Sequence, residues 1–124
     1  MTPKVIVTGR HTEETIRRYQ AVPDCRIVFA ESLKDIDPAD YPDTEILLGG
    51  ISRELAEKMP KLRFVQLFSA GANGFSWLPE RITLANAYGA YGDSIAEHLL
   101  TTTLMAMKRM PEYLKMQERQ GWEL

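Results

Sequence analysis

Residues 68–74 read Phe-Ser-Ala-Gly-Ala-Asn-Gly, with two glycines, two alanines and hardly a side chain able to do chemistry. What such a stretch can offer is its main chain. Small residues after a strand let the backbone turn sharply and leave N–H groups uncovered, so that successive amides can converge on an anion. A carboxylate fits a nest of that kind. The same residue types also make a plain strand-to-helix turn, with Asn73 and Gly74 as the turn residues, and composition alone favours that second reading.

The remaining chemistry-bearing residues are sparse. His11 follows the first apolar run and could contact an acid, although a lone loop histidine is more often solvated. His98 falls inside a long helical pattern and reads as a packing or interface residue. Two histidines and the single Cys25, far apart in sequence, form no zinc pattern, so no metal site is expected. Residues 89–92, GAYG, have the spacing of a backbone-clamping loop in some RNA-binding modules, but nothing else in the chain supports that use and they read as a turn. No serine lies in a nucleophile elbow, and no phosphate-binding loop with its lysine is present.

Composition narrows the partners. Fifteen basic and 17 acidic residues give a net charge of −2 without a basic stripe, so nucleic acid is not an expected partner. Cys25 cannot form an internal disulfide, the amino terminus has no apolar signal core, and no apolar run is long enough for a membrane span. The expectation is a cytoplasmic protein with no membrane partner. A chain of 124 residues is the size of one domain and buries roughly two-thirds of its unfolded surface.

The elements that must position the loop are legible as alternating patterns. Residues 4–9 (KVIVTG), 25–30 (CRIVFA), 45–50 (EILLGG), 62–68 (LRFVQLF) and 82–86 (ITLAN) are apolar or β-branched runs of strand length. Thr12 followed by Glu13 and Glu14 reads as a helix N-cap with first-turn acids, and Ser52 before Arg53 and Glu54 opens a helix that Pro60 stops. Residues 32–43 and 74–81 carry Pro38, Pro42 and Pro79, so any helix there is brief or broken. Strand and helix in alternation predict an α/β fold: a flavodoxin-like, doubly wound, parallel five-stranded sheet of order 2-1-3-4-5. Ligands of such sheets sit beyond the carboxyl ends of the strands, which would gather residues 9–11, 49–52 and 69–73.

A long C-terminal helix closes the pattern over residues 94–110. Ser94 and Glu97 fit a capping box, and Ile95, Leu99, Leu100, Thr103, Leu104, Met107 and Met110 recur at helical spacing. Leu100, Leu104 and Met107 are expected to cover the core, leaving Ala96, Met105 and Ala106 as a second, weakly apolar face that wants a partner.

Residues 62–75 (LRFVQLFSAGANGF) and 78–124 together resemble the amino-terminal, substrate-binding domain of the NAD(P)-dependent D-isomer-specific 2-hydroxyacid dehydrogenases. Thr83, Asn86, Gly89, Ile95, Ala96 and Glu97 stand at the family's pattern positions, and the first half of the chain matches through its strand pattern alone. The resemblance implies that the loop holds a substrate carboxylate on main-chain amides, at Ser69, Ala70, Gly71 and Ala72. Asn73 takes the place where many members carry Asp, and either residue can brace the turn. The implied partner is a small 2-hydroxy or 2-keto carboxylic acid of the phosphoglycerate, glycerate/hydroxypyruvate, glyoxylate or lactate type.

The resemblance also implies NAD or NADP for the parent enzyme, bound by a cofactor domain that this chain lacks. The family's catalytic arginine, glutamate and histidine lie in that domain, so no catalytic and no cofactor-binding residue is assigned here. Residues 1–110 are expected to be the substrate-binding domain and residues 111–124, with Trp122, the start of the connection. The chain alone is expected to be inactive, and its uncovered apolar surface points to a homo-oligomer. The competing expectation is a free-standing flavodoxin-like module that binds a carboxylate or a protein without catalysis.

Overall fold

The computed structural model describes residues 2–121. Five strands, Lys4–Thr8 (β1), Arg26–Ala30 (β2), Thr44–Leu48 (β3), Phe64–Gln66 (β4) and Thr83–Ala85 (β5), pair in parallel in the order β2-β1-β3-β4-β5. The expected α/β flavodoxin-like sheet is the sheet observed. Helices Glu13–Gln20 (α1) and Arg53–Lys58 (α2) form the crossovers. The chain moves one way from β1 to β2 and the other way from β3 to β4, so right-handed crossovers put the two helices on opposite faces.

Local chemistry explains where these helices start. Thr12 accepts a hydrogen bond from the Thr15 amide at 3.2 Å, and Ser52 accepts one from the Leu55 amide at 3.2 Å, each satisfying an orphan donor of the first turn. The Arg81 guanidinium closes the other end of α2 by donating to the carbonyls of Ala56 at 2.9 Å and Leu62 at 2.7 Å. The proline-bearing connections hold only 3-10 turns, at Leu33–Asp35, Pro38–Asp43 and Asn73–Phe75.

The core lies on the α2 face. Strand register places Val28, Ile6, Leu47, Val65 and Leu84 in one row across the sheet. Leu55, Ala56, Met59 and Leu62 pack on that row, and Ile6, Leu47 and Met59 are fully buried. Each such side chain contributes about 1.5–3 kcal/mol by leaving water.

One buried cation interrupts this apolar pattern at the amino end of β1. Lys4 is buried, and its Nζ lies 2.5 Å from Asp40 and 2.7 Å from Asp43. Burial alone would lower the Lys4 pKa, but the hydrogen bonds and charges of the two aspartates outweigh it and leave it raised. The hydrogen bond from Lys4 holds the Asp43 carboxyl below its usual range. Replacing Lys4 with Met is therefore expected to destabilise the protein at neutral pH, because both aspartates lose their cation.

The pH dependence of that loss has a defined sign. The Asp43 contribution is present above its unfolded-state pKa and disappears as pH falls through the lowered folded value. The Lys4 contribution is complete below its ordinary value of 10.5 and disappears as pH rises through the raised one. Urea unfolding of both proteins should give a difference that is flat near neutrality and closes at both extremes; a difference that widens in acid contradicts the assignment.

Compact packing divides the chain into residues 1–88 and 89–124. The second unit contains helices Gly92–Met107 (α3) and Met110–Glu118 (α4). Three expectations for this region are corrected. The helix starts at Gly92, with Tyr91 as N-cap and no side-chain cap bond, so Ser94 lies inside it and forms no capping box with Glu97. It ends at Met107 rather than Met110, because Arg109 adopts a left-handed conformation at φ 53°. Pro111, which lacks an N–H, then fits the first turn of α4.

The third correction concerns burial. Leu100, Leu104 and Met107 are exposed, and α3 has no buried residue. Two helices in 36 residues enclose no interior of their own, so helical periodicity here reports an apolar stripe rather than a core position. Trp122 lies outside the described residues.

Candidate functional site

The carboxyl ends of β1, β3 and β4 meet at the switch point of the sheet, where the chain reverses its direction of travel. Gly9 leaves β1 at φ 105° and donates its amide to the Ala30 carbonyl at 3.0 Å. Gly49 leaves β3 at φ 129° and donates to the Gln66 carbonyl at 2.7 Å. A Cβ on Gly49 would lie 1.9 Å from Thr8 Oγ1 and 3.6 Å from the Phe68 ring. Only glycine permits this backbone geometry and this closeness of three strand ends. The first and third strands thus converge on the residue that opens the small-residue loop.

In residues 69–72 every carbonyl is occupied. The Ser69 carbonyl accepts the Ala87 amide at 3.0 Å, that of Ala70 accepts Asn86 Nδ2 at 2.8 Å, that of Gly71 accepts Ser69 Oγ at 3.3 Å, and that of Ala72 accepts the Phe75 amide at 3.1 Å. Among the described residues, the N–H groups of Ser69, Ala70, Gly71 and Ala72 donate to no protein acceptor. Ser69, Ala70 and Gly71 are exposed. A loop pinned through its acceptors with its donors uncommitted is chemically one-sided: what it can still bind is an anion or another acceptor.

Gly71 adds a second observation. Its φ is outside the left-handed region, and a Cβ built there meets nothing within 4 Å. Neither conformation nor packing within the chain requires glycine at this position. The sequence-expected residues Ser69, Ala70, Gly71 and Ala72 occupy one short segment, exposed except at the half-buried Ala72, whereas Asn73 opens the following 3-10 turn and, among the described residues, makes no side-chain hydrogen bond. The bracing expected of Asn73 is done by Asn86, whose amide holds Ala70 while its Oδ1 accepts the Tyr88 N–H at 3.3 Å. Sequence alone placed Asn86 at the end of a strand run, residues 82–86, but contained no sign of its partner 16 residues upstream.

His11 is half-buried rather than solvated, and its Nε2 lies 3.1 Å from the Thr8 carbonyl. Its neighbour Arg10 forms an exposed ion pair with Glu31 at 3.4 Å. His98 is exposed on α3. Gly89 sits at φ 83° in the expected turn, and Gly92 already belongs to α3. Among the described residues, no cluster of three or more His, Cys, Asp or Glu is arranged to hold a metal, and no helix is long and apolar enough to cross a membrane.

No family model and no curated protein sequence matches the chain. Solved structures do. The fold is shared with a D-isomer-specific 2-hydroxyacid dehydrogenase family protein from Aeromonas salmonicida, at a TM-score of 0.77 and 20% identity over 99% of this chain. It is shared with an NADPH-dependent glyoxylate/hydroxypyruvate reductase from Sinorhizobium meliloti, in complex with NADP and malonate, at 0.67 and 19% over the whole chain. A phosphoglycerate dehydrogenase from Lactobacillus plantarum matches at 0.53 and 23% over 97%. The chain spans only 41%, 42% and 41% of these three proteins.

Proposed function

We propose that this chain is the substrate-binding part of a D-2-hydroxyacid dehydrogenase, with residues 1–110 as the substrate-binding domain and 111–124 as the start of the connection to a cofactor domain. The parent protein passes a hydride between NAD(P) and the oxygen-bearing carbon of a small 2-hydroxy or 2-keto acid. This chain's share of the work is to hold the acid by its carboxylate. The observation that carries the reading is the one-sided loop, with four occupied carbonyls and four uncommitted amides at residues 69–72.

The nicotinamide cofactor does not fit the residues present. The sequence contains no Gly-x-Gly-x-x-Gly turn of the kind that binds a pyrophosphate at a helix N-terminus. Hydride and proton transfer are therefore assigned to the rest of the parent protein. What these residues supply is orientation: fixed N–H dipoles that neutralise the carboxylate without adding a titratable group beside it.

Titration of the 15N-labelled chain with malonate tests the reading directly. The amide resonances of Ala70 and Gly71 should move furthest, with an affinity in the millimolar range, roughly that of a few charge-assisted hydrogen bonds at an exposed site. Saturable movement centred elsewhere, or none, overturns the assignment.

A further inference from the structure

We infer that His11 is a positioning residue for the acid-binding loop, acting through the ring of Phe68. The inference rests on the carboxylate reading for its purpose and on the packing around His11 for its content. Four aromatic rings from four segments meet edge to face, one of them on Phe68, the residue before the loop. His11 packs on Phe68 with centroids 6.0 Å apart and planes at 80°, on Tyr19 of α1 at 5.8 Å and 73°, and on Phe29 of β2 at 6.3 Å and 65°. Tyr19 and Phe29 close the group at 6.0 Å and 66°. Such contacts orient as well as attract, because the positive edge of one ring seeks the negative face of another.

The geometry makes His11 the hub. It touches all three other rings, and its Nε2–H also donates to the Thr8 carbonyl at 3.1 Å. The Phe68 ring also lies near Gly49: its Cε2 is 3.6 Å from where a Cβ on that residue would stand. Phe68 thus packs on the His11 ring near the end of β3, and it is covalently joined to Ser69, the first residue of the loop. Fixing that ring fixes where the loop departs from the sheet. An oriented amide nest needs such a support, since its binding strength depends on the amides being aimed before the ligand arrives.

The test separates ring from hydrogen bond. His11→Gln keeps a donor for Thr8 and removes the ring, His11→Phe does the reverse, and Phe68→Leu removes the ring that His11 packs on. Without ligand, backbone order parameters of residues 69–72 should fall in His11→Gln from about 0.85 towards 0.6 and recover in His11→Phe. With malonate as the probe, His11→Gln and Phe68→Leu should each weaken binding about fivefold, the equivalent of one edge-to-face contact. The double variant should be no weaker than Phe68→Leu alone, because His11 acts on the loop through the Phe68 ring.

Unchanged loop order in His11→Gln, failure of His11→Phe to restore it, or multiplicative losses in the double variant would overturn the role. Amides of Ile6 and Leu47 in the core report whether each variant remains folded, and Phe68→Leu reads the same contact should His11→Gln not fold. A wild-type loop that is ordered yet indifferent to malonate would sink the carboxylate reading and leave the support by His11 standing.

Discussion

Gly49→Ala is expected to destabilise the protein by roughly 3 kcal/mol or more, the sum of a left-handed backbone strain and a forced repacking. The new methyl would stand 1.9 Å from Thr8 Oγ1, and Thr8 is buried, β-branched and bound to the Leu48 carbonyl at 3.2 Å. Turning the hydroxyl away breaks that bond and drives the other branch of a stiff side chain into the sheet. Gly50→Ala is the internal control. Its φ is ordinary and the nearest atom to an added Cβ is Leu33 Cδ1 at 3.9 Å, so its effect should stay within about 1 kcal/mol. Urea unfolding of the two variants side by side reads the contrast; equal midpoints would show that Gly49 is not a close-approach glycine.

Gly71→Val is expected to do the opposite: leave stability within about 1 kcal/mol of the parent and weaken malonate binding at least about tenfold. Among the described residues, nothing beyond its two chain neighbours lies within 4 Å of the added Cβ, and the backbone is not left-handed there. The cost falls on the ligand, because a branched side chain beside uncommitted amides covers them and leaves the carboxylate no approach. Thermal unfolding and the amide titration measure the two halves separately. A folded Gly71→Val that binds malonate as the parent does would remove the loop from the site; a variant that unfolds would make Gly71 structural.

The two glycines illustrate what could be read from the sequence and what could not. Both follow a strand-like run, and nothing in the one-letter pattern tells a glycine required by φ from one left open. The caps at Thr12 and Ser52 were legible because each acts within its own helix, on an amide three residues ahead. The Ser94–Glu97 pair has the same local signature, yet α3 starts two residues before Ser94. A capping box needs its serine at the boundary, and the turn at Gly89 set that boundary elsewhere.

Partners far apart in sequence were beyond local reading. Asn86 holds Ala70 across 16 residues, Lys4 meets Asp40 and Asp43 across 36 and 39, and His11 reaches a ring 57 positions away (68 − 11). Such contacts have no period and no fixed spacing. They exist because β1, β3, β4 and β5 lie side by side in the sheet, and because strand register brings particular residues opposite one another.

By itself the sequence determined the order and type of the elements in the first unit, the parallel sheet they build, and the small-residue loop at its carboxyl edge. These follow from periodicity, caps and crossover geometry, which act over a few residues or over the whole topology at once. Only the tertiary structure decided that the loop's carbonyls are all taken while its amides remain uncommitted, that Asn86 rather than Asn73 braces it, and that His11 packs on the Phe68 ring that precedes it. Those outcomes depend on which distant side chains the folded sheet brings within a few ångströms, and that proximity has no signature along the chain.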